Sequence, residues 1–119
     1  MHWFLAKIVY RIICGEGKHT PQFDEQLRLI KAVDEKEALE KAYALGVREE
    51  DSFFNNRQKL VQWQFINVAE LHKIAQLADG AELYSHIEEK EDGDLYEEVV
   101  HKKAEHLKHH VDVPVLQTF

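Results

Sequence analysis

With a single cysteine, Cys14, the chain has no means of forming an internal disulfide, which suits a reducing compartment such as the cytoplasm. Two prolines and five glycines are too few, among 119 residues, to build a dividing linker or a low-complexity segment. No apolar run nears the ~20 residues of a membrane-spanning helix. The opening Met1-His2-Trp3-Phe4-Leu5-Ala6-Lys7 puts no cationic segment ahead of an apolar one, so no export signal is expected. A basic stripe is missing too. Fifteen basic residues stand against 22 acidic ones, and eight acids but only Lys90 lie between Glu82 and Glu98. Neutralising phosphates supplies much of the affinity for nucleic acid, so no nucleic-acid or anionic-membrane partner is expected. The acidic run reads as a solvated loop.

Catalytic equipment is equally sparse. The hydroxyl nucleophiles are Ser52, Ser85, Thr20 and Thr118. A reactive cysteine needs a cation or a helix N-terminus beside it, and Cys14 closes an apolar strand face, which reads as an inert core thiol. Each glycine punctuates an element, and Gly15-Glu16-Gly17 sets an acid where a phosphate would be repelled. No nucleotide or other cofactor is expected.

Periodicity supplies a framework. Trp3–Cys14 alternates as a strand, with Phe4, Ala6, Ile8, Tyr10, Ile12 and Cys14 on one face. Trp3, Leu5, Lys7, Val9, Arg11 and Ile13 line the other. Phe23–Val33 reads as its hairpin partner. Asp34 and Glu37 open a helix with Ala38, Leu39, Ala42 and Leu45 as its apolar stripe and Gly46 as its terminator. Phe53–Val68 reads as a second hairpin turning near Asn55-Asn56. Ala69–Ala78 reads as a short helix and Ala81–Ile87 as a further strand. A final helix, capped by Asp94, runs to about His110 with Tyr96, Val100, Ala104, Leu107 and Val111 on one stripe. Pro114 marks the tail as an edge strand or an extended docking segment. The expected fold is a single α+β domain, a largely antiparallel sheet of about five strands with helices packed against it.

Four passages carry a resemblance: Trp3-Phe4-Leu5-Ala6-Lys7-Ile8; Leu29-Ile30-Lys31-Ala32 followed by Glu37-Ala38-Leu39-Glu40-Lys41-Ala42; Trp63-Gln64-Phe65; and Asp79-Gly80-Ala81-Glu82-Leu83-Tyr84-Ser85. In this order the chain resembles, over about residues 3–87, a small bacterial family catalogued only as a domain of unknown function. The resemblance implies a bacterial cytosolic domain and brings no activity or catalytic residue. The final helix and tail lie beyond it.

Three groups of side chains remain as candidate sites. Lys7 and Arg11 share a strand face and, with Trp63 and Glu82, could recognise a small anion or a peptide; Arg28 is a candidate on the neighbouring strand. Eight histidines are many for this length, and protonating all of them would move the formal charge from −7 to +1. His106 and His110, one turn apart on the last helix, could place two ring nitrogens on a metal, completed by Glu105 or by a second subunit. The apolar tail residues Val113, Val115, Leu116 and Phe119 could form the interface of a homodimer. The leading expectation is a non-catalytic binding module acting as a homodimer. The alternative is a small metal-dependent protein or enzyme using the C-terminal histidines.

Overall fold

The structure, a computed structural model, describes residues 1–118, with side chains as far as Val111. The chain divides into two compact units, Met1–Ser85 and His86–Phe119. The first contains β1 (His2–Cys14), β2 (Gln22–Ala32), α1 (Glu35–Arg48), β3 (Asp51–Phe54) and β4 (Leu60–Ile74). Its four strands form one antiparallel sheet in the order β2-β1-β4-β3. The class is α+β, with one strand fewer than expected, because residues 81–87 run without regular structure.

The alternation in β1 places Phe4, Ala6, Ile8 and Tyr10 on an inner face, each no more than 1% exposed. Burying a large apolar side chain contributes roughly 1.5–3 kcal/mol, so this row is the centre of the fold. One cluster joins Phe4, Ala6, Ile30 and Ala32 of the sheet to Ala38 and Ala42 of α1. The helix meets the sheet along Ala38, Ala42 and Gly46, the smallest side chains at four-residue spacing.

Asp34 caps α1 as expected, its Oδ1 accepting the Glu37 N–H at 2.9 Å. Gly46 does not end the helix, which continues to Arg48. A Cβ at Gly46 would lie 2.3 Å from Cε1 of Phe65, so glycine is required there for close approach. The Tyr10 hydroxyl donates to the Gly46 carbonyl at 2.8 Å, tying helix to sheet.

The expected helix at Ala69–Ala78 is absent, because β4 continues to Ile74. Two β-bulges explain the misreading. Lys7 and Ile8 pair with Glu70 and Val68, leaving Ala69 as an extra residue, and Val9 and Tyr10 pair with Asn67 and Phe65, leaving Ile66. The inner-face series therefore passes from odd to even numbering and back, through Phe65, Val68 and Leu71. In the β3–β4 turn, Asn55 works through its side chain, whose Oδ1 accepts the N–H groups of Arg57 and Lys59 at 2.9 and 3.1 Å. Gln58 takes the left-handed conformation, with φ of 63°. Cys14 is partly exposed, with the Asn55 amide donating to its sulfur at 3.7 Å, so it is not the enclosed core thiol expected.

The second unit is built on α2 (Gly93–Thr118). Its first turn is capped by Asp92, whose Oδ1 accepts the Leu95 N–H at 3.0 Å, not by Asp94. The tail expected to be extended is helical through Thr118, Pro114 included. The side chains of residues 112–118, together with Phe119, lie outside the described residues, and with them the interface expected of Val113, Val115, Leu116 and Phe119. Among the described residues no helix is long and apolar enough to cross a membrane.

Candidate functional site

The sheet's outer face, opposite α1, is where strand alternation sends Lys7 and Arg11. Pairing brings Leu27 and Glu70 beside Lys7, and Phe23 and Gln64 beside Arg11. At its centre Lys7 Nζ lies 2.7 Å from Glu70 Oε2, and His72 Nε2 lies 3.0 Å from Glu70 Oε1. Tyr84 closes the group. Its ring meets His72 edge-to-face at 5.1 Å, Lys7 Nζ stands 5.8 Å from its centroid, and its side chain hydrogen-bonds Glu70.

The protonation states follow from these contacts. The Lys7 hydrogen bond, then that of His72, holds the Glu70 carboxyl down to about 2 from an ordinary 4.5, against the opposing effect of burial. The same hydrogen bond raises Lys7 above its usual 10.5. Efficient proton transfer needs a group that titrates near the working pH. Glu70 and Lys7 are both displaced away from neutrality, so the pair can fix geometry and charge but is poorly placed to act as a base or an amine nucleophile.

Around this centre, cations lie over aromatic rings. The Arg11 guanidinium is 5.5 Å from the Phe23 centroid, and Lys31 Nζ is 5.5 Å from that of Trp3. Arg11 forms no ion pair among the described residues. Apolar side chains of β2 complete the face: Phe23 is 52%, Leu27 53% and Leu29 48% exposed.

The other expected members are elsewhere. Trp63 pairs with Ile12 and so faces inward, its Nε1–H donating to Asp24 Oδ2 at 3.1 Å. Arg28 also faces inward, 2.7 Å from Glu49. Glu82 is exposed beside a small cavity of about 240 Å³ that it lines with His72, Lys73, Leu83, Tyr84 and Ser85; Lys7 is paired by Glu70 instead. His106 and His110 lie exposed on α2, and among the described residues no three His, Cys, Asp or Glu side chains gather as metal ligands. Glu70 and His72 fall in the stretch expected to be helical, and Tyr84 in the separate strand expected at 81–87, so no local pattern joins the three to Lys7. The first stretch carries no apolar–polar alternation, since Glu70, His72 and Ile74 on one face and Leu71 and Lys73 on the other each mix the two kinds.

Comparison with known proteins agrees with the boundary of the first unit. Residues 3–85 match the family model described as Domain of unknown function (DUF4288). No curated protein and no solved structure matches the chain. The chain belongs to the DUF4288 family.

Proposed function

Because that family's description carries no activity, we propose a function from the geometry alone: a non-catalytic interaction module, working as a bacterial cytosolic homodimer, whose outer sheet face takes up an extended segment of a partner protein. The observation that carries this reading is β2. It is an edge strand of 11 residues whose outer row runs Phe23, Glu25, Leu27 and Leu29, the three apolar members about half exposed. A long edge strand offers backbone donors and acceptors to an incoming strand, while alternate side chains supply specificity. The opposite edge, β3, has only four residues. Arg11 and Lys31, near the two ends of the apolar row, favour an incoming segment with acidic residues flanking its apolar ones. The lone cysteine supports the cytosolic assignment.

Panning displayed linear peptides against the full chain tests the reading. Enriched peptides should alternate apolar side chains, weaken by roughly tenfold or more on Leu27→Asp, and lose binding when backbone N–H groups are methylated. No enriched peptide, or binding indifferent to Leu27→Asp, would overturn it.

A further inference from the structure

The second unit holds one long helix whose apolar stripe is exposed. Along α2, Tyr96, Val100, Ala104, Leu107 and Val111 follow at spacings of four, four, three and four, with Val99 at the margin. Exposure is 48% at Tyr96, 39% at Val99, 43% at Val100, 62% at Leu107 and 42% at Val111. Most amphipathic helices draw their stability from covering such a stripe.

Charge indicates what covers it. Asp94, Glu97 and Glu98 make the first half of this stretch acidic. From His101 to His110, Lys102, Lys103 and Lys108 oppose Glu105 alone, and four histidines accompany them. Two such helices side by side in parallel would set acid against acid. Antiparallel, Glu97 at one margin of the stripe comes to the same margin as Lys108 of the other copy. The same overlap matches the apolar residues: Tyr96 faces the partner's Val111, Val100 faces the partner's Leu107, and Ala104 falls near the two-fold axis, where a small side chain permits close approach. One register thus satisfies both the charges and the stripe.

We infer that α2 is a self-pairing surface and that its occupant is α2 of a second copy of this chain, lying antiparallel. The inference deepens the homodimer part of the proposed function and does not depend on strand addition at β2.

Sedimentation of the full chain tests it. A dimer is expected, weakened by high salt because the flanking charges oppose one another. Leu107→Asp should raise the dissociation constant roughly tenfold or more with the far-ultraviolet helix signal retained. Orientation is read by mixing Glu97→Cys and Lys108→Cys chains, each also carrying Cys14→Ser. Disulfide-linked mixed dimers should exceed either self-linked form. A monomer throughout, a dimer indifferent to Leu107→Asp, or dominant self-linked dimers would overturn the inference. A dimer lost with Leu27→Asp but kept with Leu107→Asp would place the contact on β2, overturning the α2 pairing without touching the peptide-binding reading.

Discussion

The two units handle apolar surface in opposite ways. In Met1–Ser85 a continuous inner row reaches 0–1% exposure, and the small face of α1 closes over its end. In His86–Phe119 every described side chain to Val111 is exposed, although α2 carries an apolar stripe of its own. The difference teaches that periodicity reports a face that needs covering but not the source of the cover. A sheet supplies it inside the first unit; α2 has no second element of its own unit to supply it among the described residues.

Substitutions of the same kind in the two units give the sharpest contrast. Phe4→Ala should destabilise the first unit by about 3–5 kcal/mol, because it removes a ring and leaves a cavity in a fully enclosed site. Val100→Ala should change the urea midpoint of a dilute sample little and act on self-association. Equal losses from both would break the contrast. Gly46→Ala should cost about 1–3 kcal/mol, since its new methyl overlaps the Phe65 ring. A helix-favouring substitution that stabilised the protein would show that α1 does not pack so closely.

The smallest effect concerns charge. Glu70 titrates lower in the folded chain than its ordinary 4.5, so the stability it contributes is complete above that value. It is lost as the pH falls from about 4.5 towards 2. Lys7, raised above 10.5, loses its share as the pH climbs through that region. Glu70→Gln should flatten the acid limb of a stability–pH curve. An unchanged limb would show that Lys7 and His72 do not hold this carboxylate in solution.

Much of this architecture was legible in residue order. β1 and β2 announce themselves by alternation, and α1 by Asp34, Glu37 and its paired alanines. Gly46 reads as a terminator because a glycine near a helix end has two uses, termination and close approach, and only the position of Phe65 distinguishes them. Lys7 and Arg11 were assigned to the correct face because β1 alternates without interruption. The face of Trp63 is not legible in this way, because it depends on pairing with Ile12, a relation between strands that no local pattern contains. Glu70 and His72 were lost for a related reason, since the strand that carries them changes numbering parity twice.

Those two bulged residues have a consequence for chain length. Ile66 and Ala69 are the places where β4 holds more backbone than its neighbour spans. A lineage could drop either one and every remaining side chain would keep its inward or outward direction. The same deletion at Gln64 or Leu71 would remove a paired residue and force the ladder to re-form around it. Length variation in this strand should therefore gather at those two positions, where slack already exists.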